Sequence, residues 1–281
     1  MLTFARALCA FVVLVGTLCH AAQPIPLIIP PLGSMEPETT GIYYEKLLQL
    51  ALDKTATPPD SPEAINEVEY KITHYNQALG RERYRLLVKQ GAVDLMWSSS
   101  NKEREQELVP VKVNLLRGIN EYRVLLIRAD DQARFDKVKT LMDLQKFKIG
   151  TGLHWSDTQV YNFNDLPMVT SYAFDNMFRM LALKRFDYMA RSLQEIEHEL
   201  KVYGDLGLVM EKNLLIHYPQ PIYFFLNKKH HALAKRIERG LSVAQQDGSL
   251  DELFYSFPNF RSAEEKIRHL DRRVIELQRQ D

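Results

Sequence analysis

Cysteine is almost missing from this chain. Its two cysteines, Cys9 and Cys19, both fall within the first 22 residues. Whatever follows residue 22 therefore has no disulfide and no thiol chemistry. A charge excess is missing too: 36 Lys and Arg face 36 Asp and Glu, which argues against the basic face that a nucleic-acid binder needs. Past residue 22 no apolar run is long enough to cross a membrane. The histidines show no metal-ligand spacing: His198 sits between Glu197 and Glu199, and His230-His231 stands alone. No nucleophile elbow is visible. Gly150-Thr151-Gly152 lacks the third glycine of a dinucleotide fingerprint. The sequence thus offers no catalytic constellation, no metal site and no cofactor motif, and it reads as a non-enzyme.

What is present begins with a leader. Arg6 is the only charge before an apolar run over residues 7–18, and Ala21 and Ala22 supply small residues for cleavage. The competing reading is a membrane anchor, but the run is short of the roughly 20 residues that a span requires. A cleaved signal peptide over residues 1–22 and a periplasmic location are therefore expected. With 46% hydrophobic and 26% charged residues, the remainder is globular and long enough for two lobes.

The chain is organised around residues 89–127. Gly91 stands where a helix C-cap needs a left-handed residue. Val93-Asp94-Leu95-Met96-Trp97 reads as a buried strand. Ser98-Ser99-Ser100 follow, and Ser100-Asn101-Lys102-Glu103 has capping-box spacing for a new helix that carries Arg104. Ligands of open α/β sheets bind at such strand-to-helix junctions. Before this stretch come a strand at 24–31, a helix from Gly41 with Tyr44, Leu47, Leu48 and Ala51 on one face, a strand at 68–73 and a helix over 76–90. Gln77 and Arg81 read as a solvated helix face. The order is βαβαβ, an α/β arrangement with crossover helices.

The second half repeats that alternation. Strands are expected near 124–127, 148–152, 168–170 and 186–189, with Phe174, Met177, Phe178 and Leu181 on one helical face. Ser192-Leu193-Gln194-Glu195 is a second capping box. Leu233, Ile237, Leu241 and Ala244 form a later helix. Residues 263–280 read as a charged helix with Ile267, Leu270, Val274 and Leu277 as its seam, either covering a lobe or binding a partner.

In the order of these motifs the chain resembles the family 3 periplasmic solute-binding proteins, the amino-acid-binding group of ABC importers, over nearly all of the sequence after the leader. Leu87, Gly91 and Asp94 match a family LxxGxxD. Ser99, Asn101 and Arg104 stand at the positions of its T-x-T-x-x-R. Asp143-Leu144 with Lys148-Ile149-Gly150-Thr151 match its second-lobe motif, and Asp247-Gly248-Ser249-Leu250-Asp251-Glu252-Leu253 match its terminal DGxLxxL. The resemblance implies a two-lobed, Venus-flytrap fold with a two-strand hinge. Lobe 1 would comprise 23–121 and 226–262, lobe 2 would comprise 122–225, and 263–281 would be an added helix. Residues 121–127 would cross out and 221–226 would return. It further implies that Arg104 clamps a ligand carboxylate, helped by Ser99 and Asn101.

One position departs from the family. Asp187 matches the first aspartate of a DaxxxD strand, but Ser192, preceded by Arg191, stands where the second aspartate would hold a ligand ammonium. An unpaired buried ammonium costs several kcal/mol, so anionic ligands stay open beside amino acids. Arg191 and Ser192 then read either as a second anion anchor or as a surface arginine and a helix cap. His154-Trp155-Ser156-Asp157 offers an indole and polar groups, with Trp155 a stacking platform or a packed side chain. Arg104 by itself also reads as a solvated helix arginine, and Ser99 and Ser100 as caps. The expected ligand-binding set is Ser99, Asn101, Arg104, Thr151, Trp155, Arg191 and Ser192. The expected partners are a small-molecule ligand and a membrane permease or receptor, with the protein a monomer. Transport, sensing and a dehydratase-like activity on the same fold are the functions in contention.

Overall fold

The computed structural model describes residues 23–35, 37–57, 68–153, 155–269 and 271–279. The expected leader, His154 and Leu270 lie outside them. In chain order the elements are β1 (Ile25–Ile29), α1 (Glu38–Asp53), β2 (Tyr70–His74), α2 (Arg81–Gln90), β3 (Leu95–Ser99), α3 (Lys102–Glu107), β4 (Val109–Val111), β5 (Tyr122–Arg128), α4 (Gln132–Phe135), α5 (Leu141–Leu144), β6 (Ile149–Gly152) and α6 (Ser156–Phe163). They continue with β7 (Met168–Ser171), α7 (Phe174–Ala182), β8 (Tyr188–Ser192), α8 (Leu193–Tyr203), β9 (Leu208–Met210), β10 (Leu214–His217), β11 (Ile222–Leu226), α9 (His231–Gln246), α10 (Ser249–Tyr255), α11 (Pro258–His269) and β12 (Arg273–Glu276).

The first lobe holds a parallel β1–β2 pair and a three-stranded β3–β11–β4 sheet. The Asp94 carboxylate accepts from the Ile28 N–H (2.8 Å), which joins the two pieces. The second lobe is a sheet in the order β12-β10-β5-β8-β6-β7, with β9 also pairing β5. Alternation along β5 serves both faces: Val124 and Leu126 enter one apolar cluster, Leu125 and Ile127 another. Gly91 closes α2 with φ +79°, as its place in the sequence requires. Leu233, Ile237, Leu241 and Ala244 are buried on α9, as their spacing predicts.

Several expectations need correction. Residues 76–80 are not helical; α2 begins at Arg81, after Gly80. Arg81 is not a solvated side chain, since its guanidinium donates to the carbonyls of Met35 (3.0 Å) and Trp97 (3.3 Å). The links between lobes are shorter than expected. The strand Ile222–Leu226 pairs with β3 and β4 and so lies inside the first lobe, while Tyr122–Arg128 pairs with β8, β9 and β10 inside the second. The crossings are residues 118–121 and 218–221, held together by Tyr218 N–H to the Glu121 carbonyl (3.2 Å) and Asn120 Nδ2 to the Gln220 carbonyl (3.4 Å).

The expected helix over 263–280 ends at His269. Its second half is β12, parallel to β10. In that half Ile275 and Leu277 are buried while Arg273, Val274 and Glu276 are exposed, a period of two rather than 3.6. The open edge of β10 gives the β-branched Val274-Ile275 pair a ladder, and that outweighs the helical spacing. Beyond β12, Arg279 returns to the first lobe and donates to the Ser100 and Pro219 carbonyls.

Candidate functional site

A cavity of about 210 Å³ opens between the lobes. From the first lobe it is lined by Glu82, Arg85, Asn101, Glu103 and Arg104, and from the second by Leu153, Trp155, Ser156, Thr158 and Gln159. Each wall holds a place where the chain leaves a strand and enters a helix, β3 into α3 and β6 into α6, and α2 adds Glu82 and Arg85 to the first.

On the first wall Asn101 caps α3, its Oδ1 accepting from the Arg104 N–H at 2.8 Å. The cap is Asn101 and not Ser100, whose hydroxyl instead donates to Glu105. This cap turns the Arg104 side chain back under the strand end, where it is 4% exposed. Its Nη1 donates to the Ser99 carbonyl, Nη2 lies 3.4 Å from Glu82 Oε1, and Nε has no partner among the described residues. The guanidinium sits 5.7 Å from the Phe225 ring centre. Burial pushes the Arg104 pKa down to about 10, with Glu82 opposing the shift and Arg81 and Arg85 adding to it. Arg85, by contrast, is saturated, facing Glu82 (2.7 Å), Glu103 (3.4 Å) and Glu107.

On the second wall Trp155 lies over Gly152. A Cβ there would stand 2.3 Å from the indole Nε1, so only glycine allows the ring this position. Thr151 is fully buried and meets the Thr158 hydroxyl at 3.1 Å. It ties β6 to α6 and does not line the cavity.

The expected anchor at Arg191 and Ser192 is not a free anion site. Arg191 Nε meets both Glu199 oxygens at 2.9 Å, and Nη2 meets Glu195 at 3.1 Å. Burial opposes its charge, but Glu199 and Glu195 raise its pKa above the ordinary value. The Ser192 hydroxyl donates to Glu195 at 2.7 Å. The Arg191 guanidinium does not line the cavity; it lies 5.0 Å from the Trp155 ring centre and 5.3 Å from that of Phe174. Glu199 and Glu195 thus supply Arg191 with its counter-charge from within the protein.

Of the expected residues, the structure thus brings Asn101, Arg104 and Trp155 to the cavity. Ser99 contributes its carbonyl to Arg104, and Thr151, Arg191 and Ser192 stand behind the walls. Sequence reasoning missed Glu82, Arg85, Leu153, Thr158 and Gln159 as lining residues, and took Glu103 for a helix-start residue. Glu82 and Glu103 place carboxylates beside Arg104, which the motif comparison sought on β8. The Glu82-Arg85 spacing on a helix was the available signal, but it is also that of an ordinary surface pair.

No protein-family model matches the chain, and no curated protein sequence does. Solved structures do. An ancestral arginine-binding protein bound to arginine superposes with a TM-score of 0.54 at 14% identity, over 82% of this chain and 97% of that one. The chain has the two-lobed periplasmic-binding-protein fold. The substrate-binding protein of an amino acid ABC transporter matches at TM-score 0.52 and 11% identity, over 81% and 96% of the two chains. A histidine kinase sensor domain with similarity to periplasmic binding proteins matches at 0.52 and 12%, over 82% and 94%. In this fold the cavity between Arg104 and Trp155 is the cleft between the lobes. Among the described residues, no helix is long and apolar enough to cross a membrane, and no group of three or more His, Cys, Asp or Glu is placed to hold a metal.

Proposed function

We propose that the protein is an extracytoplasmic solute-binding protein that captures a small, amino-acid-like carboxylate in its cleft and presents it to an ABC permease. The observation that carries this reading is Arg104: a buried cation on the cavity wall with one backbone carbonyl on Nη1, one carboxylate at 3.4 Å from Nη2 and no partner on Nε among the described residues. A guanidinium matches a carboxylate with two parallel bonds. Glu82 and Glu103, which face Arg85 on the same wall, are the carboxylates that an ammonium would meet there. A solute touching both walls binds the closed arrangement better than the open one and shifts the population toward it. The protein acts as a monomer without cofactor, metal or turnover, after removal of the leader.

The likeness to a sensor domain supports a second reading, in which the closed form is read by a membrane receptor. Copurification of the ligand-loaded protein with a permease or with a receptor separates the two. Thermal-shift screening against amino acids and simple carboxylates tests the shared core. A hit that Arg104→Ala weakens by at least about 2 kcal/mol, as for truncating a buried charge partner, supports it. A hit with unchanged affinity in that variant removes Arg104 from the site, and consumption of the bound solute would make the protein an enzyme.

A further inference from the structure

The second wall of the cavity is wired to both crossings through one buried cluster. Arg123, at the start of β5, is 5% exposed. Its Nη2 donates to Gln220 Oε1 at 2.7 Å and to Asp157 Oδ1 at 3.2 Å, its Nε to the same Asp157 oxygen at 3.3 Å, and its Nη1 to the Asn120 carbonyl. The Tyr218 hydroxyl also donates to Asp157, and the Tyr161 and Tyr218 hydroxyls meet at 3.1 Å. Gln220 is 2% exposed. Its carbonyl accepts from Asn120, and its Nε2 donates to Ser156 Oγ at 2.8 Å and faces Asp157 Oδ2 at 3.5 Å. Ser156 lines the cavity.

Proton accounting fixes the polarity of this chain. Arg123 has donors only. The oxygen end of the Gln220 amide must therefore face it, and the NH2 end must face Ser156. Ser156 Oγ is thereby an acceptor within the protein. Its own hydroxyl hydrogen has no acceptor among the described residues, and the cavity is where it remains to be used.

We infer that Gln220 is a positioning residue: it turns the Ser156 hydroxyl into a donor aimed at a solute carboxylate and ties that donor to both crossings between the lobes. This rests on the capture reading above. Gln220 belongs to the returning crossing and is held to the outgoing one by Asn120 and Arg123. Any hinge motion that slides residues 118–121 past 218–221 thus disturbs the bond that orients Ser156. Donor polarity in the cleft and lobe position become a single equilibrium.

Glutamine is the informative residue to change. Glu at 220 keeps an acceptor for Arg123 and replaces the NH2 that faces Ser156 and Asp157 Oδ2 by an oxygen; sharing Arg123 with Asp157, that oxygen accepts from Ser156, which turns the hydroxyl hydrogen away from the cavity and leaves lone pairs facing the solute. Sodium acetate serves as a bare carboxylate probe. Ser156→Ala should weaken acetate about tenfold or more, the effect of losing one hydrogen bond to a charged group. Gln220→Glu should weaken it at least as much, and the double variant should lose no more than the worse single one. Without any ligand, the Gln220 side-chain amide signals of the 15N-labelled protein should exchange slowly with water and shift on Ser156→Ala. Fast exchange, insensitivity to Ser156, or additive losses in the double variant would overturn the inference. Unchanged acetate affinity in both single variants overturns it too, leaving capture by Arg104 intact. Failure of acetate and amino acids to bind the unaltered protein overturns the capture reading, and the role of Gln220 with it.

Discussion

Replacing Arg104 by methionine should make the protein more stable while abolishing its response to carboxylates. Arg104 is 4% exposed, and burial above all pushes its pKa down from the ordinary arginine value to about 10. That difference amounts to roughly 3 kcal/mol against the cationic form. The sign follows from linkage. For a base whose folded pKa lies below its unfolded one, the folded state holds its proton less tightly. The penalty is therefore present throughout neutral pH and is relieved only as the pH rises above about 10 toward the ordinary arginine value. Methionine keeps contact with Phe225 and removes the charge, at the loss of the bonds to the Ser99 carbonyl and to the partly exposed Glu82, together worth about 1–2 kcal/mol net. The balance is a gain of about 1–2 kcal/mol, readable in urea unfolding as a higher midpoint at constant slope. In the unaltered protein a bound carboxylate should add counter-charge at Arg104 and raise the melting temperature, and in Arg104→Met this rise should vanish. A variant less stable than the parent by more than about 1 kcal/mol would mean that Arg104 is a satisfied structural cation, and the reasoning would fail.

Glu199→Ala should cost about 3–5 kcal/mol in chemical unfolding, because it leaves the Arg191 cation buried with only Glu195; a near-neutral effect would restore Arg191 as a candidate anchor. Gly152→Ala should displace the indole packed over it and cost about 1–3 kcal/mol, with a changed Trp155 emission measured against a Trp97→Phe background; identical emission would place the ring elsewhere. Asp157 is held below its ordinary 3.8: burial opposes the shift, but Arg123 and the Tyr218 hydroxyl outweigh it. Its contribution is therefore complete above pH 3.8 and is lost as the pH falls through the lower folded value. Asp157→Asn should flatten that acid limb of the stability curve, and an unaltered limb would count against the pairing.

The α/β order and most elements were legible because hydrophobic spacing records burial directly: β5 with its two faces and α9 with its four buried positions are examples. Residues 273–277 were not, because their apolar spacing fits a helix seam as well as a strand, and only the open edge of β10 decides between them. Of the site, Asn101 and Arg104 were legible through a local motif. Glu82 and Ser156 were harder to place, since the cavity joins α2, α3 and α6 across a sequence gap that no spacing rule spans. Arg191 misled for a related reason: Glu199 sits eight residues away on α8, where it fills the charge that the sequence left open.

The central claim is that the cleft holds a carboxylate on Arg104. Titration calorimetry of the purified protein and of Arg104→Met, against acetate, glycine, L-glutamine, L-glutamate and L-arginine, addresses it most directly. The account predicts saturable one-to-one binding of at least one of these to the parent, and none of it to the variant. Equal binding by both proteins, or binding by neither, would contradict it.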